Sequence, residues 1–216
     1  MKVEMPSIQS RHTEEDIQVV ARAMRECATY SQGAELKAFE EEFARYLGAP
    51  HAVGLASATG ALELAAMIAG VGEKDEVVVA GHTFVSSAVP FARRAVRLVW
   101  ADIDPDTRVM NVDTLKRCLT PRTKLVIVTH LYGLCADMKP IAALCKEKGI
   151  LLMEDCAQSP GAERDGKKAG TFGDFSCFSF HTHKNMTTLG EGGMITTDDG
   201  ALAARIRRII QWGGDR

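Results

Sequence analysis

The first fifty residues carry hydrophobic side chains at helical spacing. Residues 13–16, Thr-Glu-Glu-Asp, resemble a capping box, and apolar residues then recur at intervals of three and four from Ile17 to Met24. A second amphipathic stretch runs from Leu36 to Leu47 and stops at Gly48, a residue type that commonly ends helices. The pattern therefore predicts two amphipathic helices before the first strand.

Beyond residue 51 the pattern changes to short, continuous apolar runs that alternate with helix-like segments. The runs cover residues 52–57, 75–81, 96–103, 124–133, 150–158, 174–180 and 192–197. The helix-like segments are 58–70, 82–95, 112–119, 138–149 and 198–212. Apolar runs without polar alternation are typical of strands that are covered on both faces. The predicted fold class is therefore α/β, with a mostly parallel, mixed sheet and helices on both faces.

Composition excludes several function classes. The formal net charge of the 216-residue chain is −2, and its basic residues are dispersed among acidic ones, so no nucleic-acid partner is expected. The chain has neither a signal-peptide pattern nor a run of about 18 apolar residues, so we expect no membrane segment and a cytoplasmic location.

The six cysteines show no CxxC spacing and predict buried free thiols rather than disulfides or a metal site. They are Cys27, Cys118, Cys135, Cys145, Cys156 and Cys177.

Polar residues gather where the predicted strands end. They occur at 57–59, at 82–83, at His130, at 155–158 and from Ser179 onward. Because ligands of open α/β sheets bind outside the carboxyl ends of the strands, these residues predict a site at that edge.

Residues 56–67 could bind an anion. Small and hydroxyl residues that open a helix present free backbone N–H groups and the positive end of the helix dipole, which suits a phosphate. An ordinary N-capped helix accounts for the same residues equally well. Neither GxGxxG nor GxxxxGK[ST] occurs here, which disfavours a nicotinamide dehydrogenase or a P-loop protein.

Asp155 and Lys184 are the two candidate reactive groups. Asp155 ends an apolar run, so its carboxylate should lie at the buried mouth of the sheet, although a structural hydrogen bond would explain it as well. Lys184 follows the apolar run 175–180 and precedes a glycine-rich loop. A lysine at this place can act as a nucleophile if it is desolvated, whereas an ordinary lysine in such a loop is simply exposed to solvent.

The helix start at 56–67, Asp155 and Lys184 are explained together more simply by one bound ligand than by three unrelated roles. Pyridoxal 5'-phosphate needs an anion cradle, a carboxylate opposite its pyridine nitrogen and a lysine amine for its aldehyde. An aromatic side chain over the ring would set its tilt, and Phe84 lies at another strand end.

Several motifs resemble, in the same order, those of the DegT/DnrJ/EryC1/StrS aminotransferases, which are fold-type I enzymes that use pyridoxal phosphate. The matching stretches are 39–65, 75–88, 102–107, 120–138, 154–180 and 184–197. The resemblance implies that Lys184 is catalytic and binds the cofactor aldehyde covalently. It also implies that Asp155 pairs with the ring nitrogen, that Gln158 contacts the phenolic oxygen and that Phe84 stacks on the ring.

The resemblance further implies that Thr59, Gly60 and Ser179 bind the phosphate. The family usually has Ser-Gly-Thr-Ala where this chain has Ser-Ala-Thr-Gly at 57–60. Residues 80–84, Ala-Gly-His-Thr-Phe, replace a proline-containing pattern that is usual in the family. The resemblance matches His181 to a residue near the cofactor in some members and assigns no role to His82 or His183.

The implied reaction moves an amino group, with L-glutamate as the expected donor, to a nucleotide-linked keto sugar for surface glycans or secondary metabolites. The expected partner is a second copy of the chain in a homodimer. We expect an N-terminal helical segment (1–35) and a cofactor-binding large domain (36–216), with the small C-terminal domain of the family missing and the short form inactive by itself. A non-catalytic pyridoxal phosphate-binding domain and a cysteine-desulfurase-like lyase remain as alternatives.

Overall fold

The computed structural model describes residues 12–213. The helices are α1 (Glu14–Glu26), α2 (Ala34–Leu47), α3 (Ala58–Ile68), α4 (Val89–Ala92), α5 (Val112–Lys116), α6 (Met138–Lys148) and α7 (Gly200–Ile210). The strands are β1 (His51–Leu55), β2 (Glu76–Ala80), β3 (Arg97–Ala101), β4 (Thr123–Thr129), β5 (Leu151–Asp155), β6 (Glu163–Arg164), β7 (Lys167–Lys168), β8 (Phe175–Ser179) and β9 (Gly193–Thr197).

Seven strands form one sheet in the order β1-β9-β8-β5-β4-β2-β3. Strand β9 pairs antiparallel with both β1 and β8, whereas the other pairs are parallel. The predicted mostly parallel, mixed sheet is therefore confirmed. Because only β9 is reversed, the carboxyl ends of the other six strands meet at one edge of the sheet, together with the first residue of β9.

Two hydrophobic clusters lie on opposite faces of the sheet. On β2, Val78 and Ala80 pack with side chains from α2, α5 and α6, and Val77 and Val79 pack with side chains from α3, α4 and α7. Alternate residues of one strand thus enter different clusters, as expected for a strand covered on both sides. Helices lie on both faces, as predicted.

Both N-terminal helices form as the pattern predicts. The Thr13 side chain accepts from the Asp16 N–H and the Asp16 carboxylate accepts from the Thr13 N–H, which completes the capping box of α1. Helix α2 ends at Gly48, whose φ of 81° suits a residue without a Cβ. Helix α2 buries Phe43 and Leu47, whereas no residue of α1 is buried.

The segment 82–95 differs from the predicted helix. It forms a 3₁₀ turn (Val85–Ser87) followed by the single turn of α4, and the chain leaves that turn at Ala95 with a φ of 56°. Pro90 has no N–H and stands in the first turn of α4, where it cannot continue a helix that began earlier. The short turns direct Ser87 into the interior, where it is fully buried.

The thiol prediction is confirmed for four cysteines and wrong for two. All six are free; Cys27, which follows the wholly unburied α1, and Cys118, which follows α5, are partly exposed. The exposed β6–β7 hairpin was not predicted, because two residues per strand carry no periodic signal.

Within residues 12–213, every helix is too short or too polar to cross a bilayer.

Candidate active site

A cleft with a volume of about 490 Å³ opens at the carboxyl edge of the sheet. Six of the seven predicted site residues line it: Thr59, Phe84, Asp155, Gln158, Ser179 and Lys184. Gly60, the seventh, does not line the cleft, and its N–H donates to the Ser57 hydroxyl at 3.1 Å. Residues from four strand ends are thus brought into one place, as the rule for open α/β sheets requires.

Asp155 is the last residue of β5 and is almost completely buried. Its Oδ2 accepts a hydrogen bond from the Ser87 hydroxyl at 2.6 Å, and its Oδ1 accepts from the Ala157 N–H at 3.0 Å. Each oxygen has a second lone pair, so the carboxylate can still accept a hydrogen bond from a ligand in the cleft.

Lys184 closes a turn in which its N–H donates to the His181 carbonyl at 2.8 Å. Its half-buried side chain lines the cleft. Burial raises the pKa of the Cys177 thiol well above its usual value; Asp155 raises this pKa further and Lys184 lowers it. Both side chains therefore act on the same buried thiol, which lies in the middle of β8, between Asp155 of β5 and Ile195 of β9.

The start of α3, where the sequence predicts an anion cradle, lies at the cleft. Ser57 caps the helix, and the first-turn N–H groups of an α-helix have no acceptor within the helix. The Thr59 hydroxyl donates to Ser86 at 3.2 Å, and both side chains line the cleft. Ser179 reaches the cleft from the end of β8.

His181, His183 and Glu191 line the mouth of the same cleft. Nδ1 of His181 accepts from the His183 N–H at 3.2 Å, so the Nε2 proton points toward Glu191, whose carboxylate lies 3.4 Å from that nitrogen. His82 does not line the cleft; its Nδ1 lies 3.1 Å from the Arg108 carbonyl.

Sequence reasoning missed several residues that surround the cleft. Ser86 lines it, whereas Ser87 lies behind Asp155; both belong to the segment that was predicted as a regular helix. Thr129 and Ala157 also line the cleft. Thr129 could have been found, because it is the last residue of an apolar run, next to His130.

A buried group formed by His130, Glu154 and Cys156 has the composition of a metal site. Oε2 of Glu154 accepts from His130 Nε2 at 2.9 Å and from the Gly170 N–H at 2.8 Å. Nδ1 of His130 accepts from the Ala136 N–H at 3.1 Å. Since both ring nitrogens are already engaged, this group fits a structural role better than a metal centre.

A second crevice of about 520 Å³ lies between α2, β1 and α7. Its charged groups are already paired: Arg207 donates to Glu40 at 2.7 Å and to the Ala52 carbonyl at 3.0 Å, and Glu40 accepts from the Gly54 N–H at 2.6 Å. These bonds tie α7, α2 and β1 together, so we assign the crevice to packing.

Comparisons with known proteins identify the family and the fold of the chain. The family model of the DegT/DnrJ/EryC1/StrS aminotransferases matches residues 10–216. The chain is 39% identical to a dTDP-3-amino-3,4,6-trideoxy-alpha-D-glucose transaminase of Micromonospora megalomicea subsp. nigra over 84% of this chain and 48% of the relative. The chain thus spans about half the length of the curated relatives it matches.

Two solved structures carry the same fold. The aminotransferase TlmJ from Streptoalloteichus hindustanus superimposes with a TM-score of 0.89 at 35% identity, over 94% of this chain and 55% of that one. The PLP form of Spr1654 from Streptococcus pneumoniae superimposes with a TM-score of 0.84 at 30% identity, over 91% of this chain and 55% of that one. The predicted fold-type I class is thereby confirmed.

Proposed function

Because this chain belongs to the DegT/DnrJ/EryC1/StrS aminotransferase family, we propose that it forms part of a pyridoxal phosphate-dependent aminotransferase. The proposed reaction moves an amino group from an amino acid, with L-glutamate as the expected donor, to a nucleotide-linked keto sugar. The observation that carries the proposal is the shared cleft of Asp155, Lys184 and the N-terminus of α3. The transaminase of Micromonospora megalomicea supports a sugar as the acceptor.

The donor set of the cleft fits pyridoxal phosphate. The first turn of α3, with Thr59 and Ser179, offers hydrogen-bond donors to a phosphate. A Cβ at Gly193 would overlap the backbone of Ser57, so this glycine keeps the first turn of α3 close to β9. The buried Asp155 carboxylate matches a protonated pyridine nitrogen.

Bound pyridoxal phosphate would supply an aldehyde that reacts with amines and a ring that accepts the electron pair released when an amino acid loses its Cα proton. Lys184 would hold the aldehyde and afterwards accept and return a proton at Nζ, which requires its neutral form. Asp155 would keep the ring nitrogen protonated. Gln158 would donate to the phenolic oxygen, and Phe84 would cover one face of the ring.

The proposal includes a homodimer and a cytoplasmic location. Large apolar side chains stay exposed in the segments beside the cleft: Phe84, Val85, Tyr132 and Leu189. A second copy of the chain that covers these side chains would also exclude water from the cleft. Sedimentation of the purified chain tests this part, and a monomer at every concentration would contradict it.

The alternatives are less well supported. No cysteine of residues 12–213 lines the cleft, so a cysteine-desulfurase-like lyase would need a catalytic thiol from outside this part of the chain. The relatives reported above are a transaminase and an aminotransferase, which favours amino-group transfer over a non-catalytic binding domain.

The visible spectrum tests the first step of the proposal. Adding pyridoxal phosphate to the 216-residue chain should produce visible absorbance from the lysine-bound cofactor. Lys184→Ala should abolish this absorbance, whereas Lys148→Ala, at the exposed end of α6, should not. A chain that gives no absorbance, or gives it without Lys184, would contradict the assignment.

Addition of substrates tests the second step. In a version of the chain that carries the small C-terminal domain of the family, L-glutamate should remove the visible absorbance by converting the cofactor to its amine form, and a nucleotide-linked keto sugar should restore it. Release of alanine from cysteine would favour the lyase instead. Absorbance that no amino donor removes would leave a binding domain without transfer activity.

A further inference from the structure

Three hydroxyl groups connect to Asp155 through one line of hydrogen bonds. The Thr129 hydroxyl lies 2.9 Å from that of Thr83, which lies 2.7 Å from that of Ser87. Ser87 in turn donates to Oδ2 of Asp155 at 2.6 Å. The four residues come from β4, from the turns that follow β2 and from β5, so the line joins three strand ends.

Each hydroxyl carries a single proton and can therefore donate only one hydrogen bond. This limit fixes which hydroxyl is the donor in each hydrogen bond of the line. Ser87 gives its proton to Asp155, so it must accept the proton of Thr83. Thr83 then has no proton left for Thr129 and must accept from it. All three O–H dipoles therefore point toward the carboxylate, an arrangement in which each hydrogen bond strengthens the next.

The line also fixes how the carboxylate faces the cleft. Ser87 holds Oδ2 and the Ala157 N–H holds Oδ1, so rotation of the Asp155 side chain would break at least one bond. Ser87 is fully buried and Thr129 almost so, so water cannot easily replace these donors. The pairing of Thr129 with Asp155 in neighbouring parallel strands keeps the two ends of the line in register.

We propose that Ser87 and Thr83 are positioning residues that orient the Asp155 carboxylate toward a ring nitrogen bound in the cleft. This inference rests on the proposed function, because only a ligand with such a nitrogen gives the orientation a purpose. Neither residue needs to touch the cofactor: Ser87 and Thr83 do not line the cleft, whereas Asp155 does.

Substitutions at position 87 test the proposal in the 216-residue chain. Ser87→Ala removes the donor, and Ser87→Thr keeps a hydroxyl at the same place. The matched control is Ser176→Ala, because Ser176 is equally buried but hydrogen-bonds to Gly170 and Thr196. For each variant, the dissociation constant of pyridoxal phosphate and the pH dependence of its visible absorbance are measured. The thermal midpoint of unfolding is recorded for the same variants.

Ser87→Ala should bind pyridoxal phosphate about tenfold more weakly and shift the pH at which the visible absorbance changes. Ser87→Thr should restore both values, and Ser176→Ala should alter only the thermal midpoint. Thr83→Val should change the affinity and the pH dependence in the same direction as Ser87→Ala but by less, because Thr83 lies one hydrogen bond further from Asp155.

Two results would overturn the inference. If Ser87→Ala bound the cofactor with the affinity and pH dependence of the unchanged chain, the hydroxyl line would be structural only, while the proposed function would stand. If the unchanged chain bound no pyridoxal phosphate, the proposed function and this inference would fail together.

Discussion

Gly193, the first residue of β9, lies so close to Ser57 that any side chain at position 193 would overlap the Ser57 carbonyl group. Gly193 pairs with Leu55 on one side and with Ser179 on the other. The reversed strand therefore brings the cap of α3 and the end of β8 to the same edge of the sheet. This close approach builds the end of the cleft where we propose that the phosphate binds.

Gly193→Ala should weaken the binding of pyridoxal phosphate by about tenfold or more. The new methyl group must push away the backbone of Ser57 and Ala58, which carries the first N–H groups of α3. The matched control is Gly190→Ala in the preceding loop, because a Cβ there meets no atom within 4 Å. Equal affinity in the two variants, measured by titration of the visible absorbance, would contradict this prediction.

Glu154 should make the folded state sensitive to acid. Burial by itself raises the pKa of this carboxyl, but the hydrogen bonds from His130 and from the N–H groups of Gly170 and Gly173 outweigh burial and hold the pKa below its ordinary value of 4.5. The folded chain therefore binds this proton less readily than the unfolded chain. The stabilisation is fully present above the ordinary pKa and is lost as the pH falls through the lowered one.

Glu154→Gln should reduce the free energy of unfolding at pH 7 by about 3 kcal/mol, because it leaves buried donors without a charged acceptor. As the pH falls below about 4.5, the variant should also lose less unfolding free energy than the unchanged chain. Denaturant titrations at several pH values measure both effects. Glu147→Gln, on the exposed side of α6, serves as the control and should change neither.

Phe43 should contribute strongly to stability, because it joins α2 to the strand that leads into the site. Its ring lies 4.9 Å from that of Phe178 and 5.3 Å from that of Phe180, which flank Ser179. Phe43→Ala should lower the free energy of unfolding by about 3–5 kcal/mol. Phe43→Leu should cost about 1–2 kcal/mol, because it keeps most of the volume. Equal losses of unfolding free energy in the two variants, measured by chemical denaturation, would contradict this packing of Phe43.

Thiol labelling should separate the cysteines into two groups. Burial raises the pKa of Cys145 to about 12 and that of Cys135 to about 11, so almost no thiolate exists at neutral pH. Cys156 and Cys177 are fully buried and their pKa values are also raised by burial. Iodoacetamide should therefore leave these four unmodified in the folded chain.

The two partly exposed thiols, Cys27 and Cys118, should react first. Because burial raises the pKa of the Cys118 thiol, this residue should be labelled more slowly than a fully exposed cysteine. Peptide mass spectrometry after short labelling checks the order, and labelling in denaturant gives the control in which all six react. Early modification of Cys145 or Cys177 would show that the sheet opens more readily than the packing implies.

Local patterns in the sequence were sufficient for the fold class and for most of the cleft. Continuous apolar runs identify strands covered on both faces, and the polar residue after each run marks a strand end. Asp155 and Lys184 were found in this way, since each comes shortly after an apolar run. The cap at Thr13 and the stop at Gly48 also depend only on neighbours within a few residues, which is why they were predictable.

Tertiary structure decided the contacts that orient these groups. The bond from Ser87 to Asp155 spans 68 residues of sequence, and Gly193 meets Ser57 only because β9 runs between β1 and β8. Whether a serine points into the core or a glycine touches a distant backbone depends on strand order, and no local period encodes strand order. The types of the candidate site residues were thus determined by the sequence alone, whereas their partners and orientation followed from the packing of distant segments.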